Sequence, residues 1–145
     1  MKQLSLIALL AMTGVAAFNP AWAAPLDITD AWFRALPGKL PAGGYFTAQN
    51  NTRRDIAITG ASSDACGMLM IHQSSNKGGM SGMDMVEKVN VPAGGKIAFA
   101  PGGYHLMCES PAPKMKIGAK VPVLFSLSDG SAVAVGFTVK GAAGK

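Results

Sequence analysis

The sequence predicts an all-β domain, an antiparallel Greek-key sandwich or barrel. Three observations carry that expectation. After residue 23 the chain is a series of short runs rich in Val, Ile, Phe, Tyr and Thr, several of which alternate apolar and polar residues as half-buried strands do. Clusters of Gly, Pro, Asn and Asp separate the runs at short intervals, and such clusters mark turns. No stretch of that region keeps the 3.6-residue apolar period of a helix.

The strands follow in order. Leu26 to Phe33 alternates partly and makes the first. Arg34 to Pro41 is a loop punctuated by Pro37, Gly38 and Pro41. Gly44 to Ala48 is a second strand, and Asp55 to Gly60, built around Ile56 and Ile58, a third; Asn50 to Arg54 between them reads as a turn. Met68 to His72 is a fourth strand. A two-residue period puts Leu69 and Ile71 on one face, expected to be the core face, and Met68, Met70 and His72 on the other. Gln73 to Gly82 is polar and glycine-rich and reads as a loop. Met83 to Val89 follows as an extended segment and Val91 to Gly95 as a turn.

Lys96 to Ala100 is a strand, and Pro101-Gly102-Gly103 turns the chain into Tyr104 to Cys108. There His105 and Met107 share one side, opposite Tyr104, Leu106 and Cys108. Ser110 to Pro113 is expected to break that strand. Val121 to Leu127 and Ala132 to Val139 are the last two, joined across Asp129-Gly130, a strong hairpin signal. Residues 141 to 145 form a short tail. No internal repeat or linker divides the chain.

Residues 1 to 23 read as a secretory signal peptide: Lys2 supplies the positive start, Leu4 to Val15 the apolar core, and Ala21-Trp22-Ala23 the cleavage site. The mature domain, residues 24 to 145, is long enough to bury a core without staples, and no remaining apolar run is long enough to span a bilayer. The formal net charge is +5, but the basic residues are scattered, which argues against a nucleic-acid partner. Export permits a disulfide between Cys66 and Cys108; the sequence leaves open whether they pair.

The chemistry concentrates between residues 68 and 107. Both histidines, His72 and His105, lie there with six of the nine methionines. Ten residues separate His72 from Met83, twenty-one separate Met83 from His105, and one separates His105 from Met107. Imidazole and thioether form a soft, neutral donor set, which suits Cu(I). Neutral thioethers also hold the ion less tightly than thiolates would, as a releasing protein needs, and they resist an oxidising compartment better than a reactive thiol pair. The expected ligands are His72, Met83, His105 and Met107. Met80 and Met85 are nearby substitutes, and periodicity does not choose between Met83 and Met85.

These spacings, with Val91-Pro92-Ala93-Gly94-Gly95 and the run Pro101-Gly102-Gly103-Tyr104-His105-Leu106-Met107, resemble the PCuAC-like periplasmic copper chaperones. Ala31-Trp32-Phe33-Arg34, Pro37 and Tyr45-Phe46 resemble the family's opening, so the similarity covers essentially the whole mature chain. It implies a cupredoxin-like β-barrel that binds one Cu(I) per chain through the two histidines and two methionines. It implies a carrier that works in the periplasm; the chain itself is expected to be a monomer and not an enzyme. Its copper would go towards the copper centre of cytochrome c oxidase, to the oxidase copper subunit directly or through a Sco-type thiol protein. Two features depart from the family. The tail has no His or Met for a second, Cu(II) site, and Gln73 stands where Met or Glu often follows the first histidine.

Two other readings compete. An electron-transfer cupredoxin needs one Cys thiolate and two His, and Cys108 alternates away from His105. A metal-free secreted interaction module leaves the methionines of a polar segment without a role. No Ser-His-Asp order or H-E-x-x-H zinc signature supports an enzyme.

Overall fold

The computed structural model describes residues 23–145. The expected signal peptide, Ala23 apart, lies outside them. The described residues form ten strands and no helix: β1 Leu26–Arg34, β2 Ala42–Asn50, β3 Ile56–Ser62, β4 Cys66–Lys77, β5 Met80–Met85, β6 Val89–Val91, β7 Lys96–Phe99, β8 Tyr104–Pro111, β9 Lys120–Leu127 and β10 Ala132–Lys140.

The strand order is β5-β4-β8-β2-β1-β10-β9-β3-β6, with β7 paired to β2. Both ends of this path are free edges, so the sheet is open and curls into a sandwich rather than closing as a barrel. Phe46 on β2 shows the curl: its ring meets Phe125 on β9 at 4.9 Å, although β1 and β10 lie between those strands in the sheet. Phe46 also stacks on Phe99 at 4.2 Å, and Phe33 packs on Phe137 at 5.0 Å. The core therefore sits between the β4-β8-β2 side and the β3-β9-β10 side.

The β9-β10 hairpin shows the plainest link from sequence to packing. Along β9 burial alternates without a fault: Val121, Val123, Phe125 and Leu127 are buried, and the residues between them are exposed. The turn is closed at Asp129-Gly130, where Gly130 takes a left-handed φ of 83° and Asp129 Oδ1 accepts the Ser131 amide at 2.9 Å. The two hydrogen bonds from Ser131 hold the Asp129 carboxyl below its ordinary pKa.

Three features differ from the sequence expectation. First, the pairing of β1 with β10 is parallel, whereas every other pairing is antiparallel. Second, β1 carries a bulge. Its register against β2 shifts by one residue between Thr29 and Trp32, and Asp30 adopts φ 53° there. The extra residue reverses which side the following residues face. Leu26 and Phe33, of opposite parity, are thus both buried, and Trp32 and Arg34 turn away from the core.

Third, residues 73 to 82 are not a loop. β4 runs on to Lys77, turns at Gly78-Gly79 and returns as β5. The two glycines have φ values of 63° and 81°, as a tight type I′ hairpin requires. The polar residues Gln73 to Lys77 are extended because β5 and the start of β8 pair with them. Met83, expected at the start of an extended segment, lies within the paired strand β5. At the far end, β8 continues through Ser110, which bends at φ 49°, to Pro111.

Candidate metal centre

β4 and β8 run antiparallel with His72 directly opposite His105. The two imidazole centroids are 5.8 Å apart and the rings nearly perpendicular, at 74°. Two residues along each strand, Met70 is opposite Met107 on the same face. β5 adds Met85 opposite His72 and Met83 opposite Ser74. The inner face of the same strands is ordinary core: Ile71, Leu106 and Cys108 are buried, as the alternation requires.

The outer face is not ordinary. His105 is only 5% exposed although it points away from the core. Its Nδ1 donates to the Gly103 carbonyl at 3.2 Å, which leaves Nε2 as the atom with a free lone pair. That Nε2, and Nδ1 of His72, are buried and have no hydrogen-bond partner among the described residues. An unsatisfied buried polar atom costs about 1–3 kcal/mol, so two on neighbouring rings call for a partner. The His105 pKa lies below its ordinary value. Burial is the main cause, only partly opposed by the Gly103 carbonyl, and the charges of His72 and Arg34 push it further down. The shift favours the neutral ring, the form that donates to a metal.

A cavity of about 320 Å³ opens beside His105. Met83 and Met107 line it with His105, and so do Arg34, Tyr45 and Ser74. Of the four expected ligands, three thus share one cavity; His72 does not line it, and its ring centroid lies 5.8 Å from that of His105. Met85 is opposite His72 but lines no wall of this cavity and is 70% exposed, against 60% for Met83. Met80, opposite Lys77 beside the turn, is further out still. Sequence reasoning missed Arg34 and Tyr45 as cavity walls. Only the bulge in β1 aims Arg34 here, and nothing in the local pattern around Asp30 marks a facing reversal.

Among the described residues no three His, Cys, Asp or Glu come together as a metal-binding group. The side chains that line the cavity with His105 include the thioethers of Met83 and Met107, donors that soft metals accept. Cys66 and Cys108 are joined in a disulfide with a Cα–Cα distance of 5.4 Å, which ties β4 to β8, the strands that carry the imidazoles. With both cysteines oxidised no thiolate is left for a blue-copper site, and the electron-transfer reading falls.

The family model described as "Putative lipoprotein LpqE-like" matches residues 26–139. The chain belongs to the LpqE-like family. Among its relatives is "Putative lipoprotein Lxx21020" of Leifsonia xyli subsp. xyli, 32% identical over 140 residues, which span 91% of this chain and 84% of that one. Two solved structures share the LpqE-like fold. The solution structure of CuI-DR1885 from Deinococcus radiodurans is 29% identical, with a TM-score of 0.66 over 83% of this chain and 81% of that one. The copper-bound PCuAC domain from PmoF2 is 18% identical, with a TM-score of 0.68 over 81% and 94%, a likeness of fold. The PCuAC-like resemblance in the sequence therefore holds for this LpqE-like chain. No helix among the described residues is long and apolar enough to cross a membrane.

Proposed function

We propose that this protein is an exported copper chaperone that carries one Cu(I) in the cavity beside His105. The ligands would be His72, Met83, His105 and Met107. The observation that carries the reading is the pair of buried, unpartnered ring nitrogens, His72 Nδ1 and His105 Nε2, on neighbouring rings whose centroids are 5.8 Å apart, with the thioethers of Met83 and Met107 in the cavity beside His105. Two neutral nitrogens and two neutral sulfurs suit a soft, monovalent ion and disfavour hard divalent ones. The Cu(I)-bound state named for the Deinococcus radiodurans relative supports the same cargo.

The placement also suits transfer. Met83 is mostly exposed on an edge hairpin, so an acceptor's ligands can displace it before they reach buried His105. A carrier of this kind is a binding protein with copper as cargo, not an enzyme. By the family resemblance the acceptor is a protein of cytochrome c oxidase copper-centre assembly, the oxidase copper subunit or a Sco-type thiol protein, met in the periplasm by a monomeric chaperone. The relatives' description as lipoproteins supports export to the cell envelope.

X-ray absorption of the Cu(I)-loaded protein tests the reading: two sulfur and two nitrogen donors are expected. Failure to take Cu(I) from a competing chelator, or a spectrum with only oxygen and nitrogen donors, would refute it.

A further inference from the structure

Arg34 is the feature that the copper reading does not use. It is half-buried on the wall of the cavity that Met83, His105 and Met107 share. Neither of the two ion pairs among the described residues involves it. Its Nη2 donates to the Tyr45 hydroxyl at 2.8 Å, and its guanidinium carbon lies 5.4 Å from the centroid of that ring. Because the Tyr45 oxygen accepts this bond, the phenol proton remains free to be donated, and four guanidinium N–H groups are also left over.

The arrangement is built rather than accidental. The β1 bulge turns Arg34 to this face, and Gly43 stands opposite both Arg34 on β1 and Met107 on β8. A Cβ at Gly43 would lie 2.7 Å from the Tyr45 hydroxyl, so only glycine lets the phenol lie across this position. Trp32 packs against the Tyr45 ring, with centroids 4.9 Å apart, and helps hold it there.

We propose that Arg34 and Tyr45 form a carboxylate-binding site on the wall of the metal cavity. A guanidinium and a phenol that already share a hydrogen bond present further N–H donors and an O–H donor on one wall, and a planar carboxylate matches such a donor pair. The electrostatics ask for the same ligand. All four expected copper ligands are neutral, so a bound Cu(I) keeps its whole charge and adds it to that of Arg34 in a partly desolvated cavity. A carboxylate between them offsets both. This coupling to copper rests on the function proposed above; the anion site itself does not.

The test is a titration of the ¹⁵N-labelled chain with sodium acetate against sodium perchlorate at fixed ionic strength, read at the Arg34 Nε–H resonance and the Gly43 amide. A saturable, acetate-specific shift at these two probes is expected in the copper-free protein, with smaller, non-saturating shifts at Arg53 and Arg54. Cu(I) should tighten acetate binding about 5-fold or more. Arg34→Gln should abolish saturation at Gly43, and Arg34→Lys, which keeps the charge without the fork, should weaken it.

No saturable shift with or without copper, or equal shifts at Arg53 and Arg54, would overturn the site. If the chain takes up no Cu(I), the copper reading fails, and the copper-free titration still decides the anion site. A blocked Gly-Asp-Gly peptide in place of acetate separates the sources. Tighter binding of the peptide assigns the site to an acidic side chain of a docking protein; equal or weaker binding assigns it to a free small carboxylate.

Discussion

Two polar side chains, Asn50 and His105, are buried among the described residues, and they are treated in opposite ways. Asn50, at the end of β2, is wholly buried and wholly satisfied. Its amide donates to the carbonyls of Arg54 at 2.8 Å and Val91 at 2.9 Å, and its oxygen accepts from the amide and hydroxyl of Thr52. It fastens the turn after β2 and ties it to β6. His105, almost as deeply buried, has one bond and one orphaned nitrogen. A buried group that serves the fold finds all its partners within the chain. His105, the proposed ligand, keeps a partner short, at a cost in stability.

The comparison can be broken most severely at Asn50. Asn50→Ala should lower unfolding stability by about 3 kcal/mol, because it strands the Val91 and Arg54 carbonyls, and should leave the Cu(I) affinity of the folded protein unchanged. Urea denaturation and a chelator competition measure the two halves. An equal loss of copper affinity would show that the two ends are not separable.

His105→Leu should do the reverse. Cu(I) affinity is expected to fall about 100-fold, which is about 2.7 kcal/mol. The copper-free protein should be no less stable than the parent, and up to about 1 kcal/mol more stable, since a buried orphan is replaced by an apolar group. A clear destabilisation would mean that the Nε2 atom is already satisfied.

The pH dependence follows from the lowered His105 pKa. The native ring takes up a proton less readily than the unfolded one, so below the unfolded value of about 6.5 the unfolded state binds more protons. Stability of the copper-free parent should therefore fall as pH drops from about 6.5 to the lower native pKa, and then level off with respect to this residue. His105→Leu should lack that component of the slope, which parallel melts at pH 7 and pH 5 would reveal.

The smallest effect sharpens the choice between neighbouring sulfurs. Met83→Leu should weaken Cu(I) binding about 10-fold and Met85→Leu by less than about 3-fold, because Met83 lines the cavity with His105 and Met85 does not. Equal effects would move the sulfur ligand out towards the edge of the hairpin.

What could be read in advance follows a physical divide. The β9-β10 hairpin was legible because strict alternation and Asp129-Gly130 are local signals. So was the shared face of His105 and Met107, which lie two residues apart on one strand. The extension of β4 through Gln73-Ser74-Ser75-Asn76-Lys77 was not legible, because those residues have weak strand preference and are held extended by β5 and β8. The partial alternation of Leu26 to Phe33 was visible, but its cause, a bulge at Asp30, shows only in the register against β2.

The sequence by itself determined the strand class, the faces of Met68 to His72 and of Tyr104 to Cys108, and a soft donor set at fixed spacing, since these depend on residue type and a two-residue period. Only the tertiary structure decided that Cys66 reaches Cys108, that β1 lies parallel to β10, that Met83 rather than Met85 shares the cavity, and that Arg34 stands over it. Those are matters of register between strands far apart in the chain, and register is set by the packing of the whole sandwich, which no single strand contains.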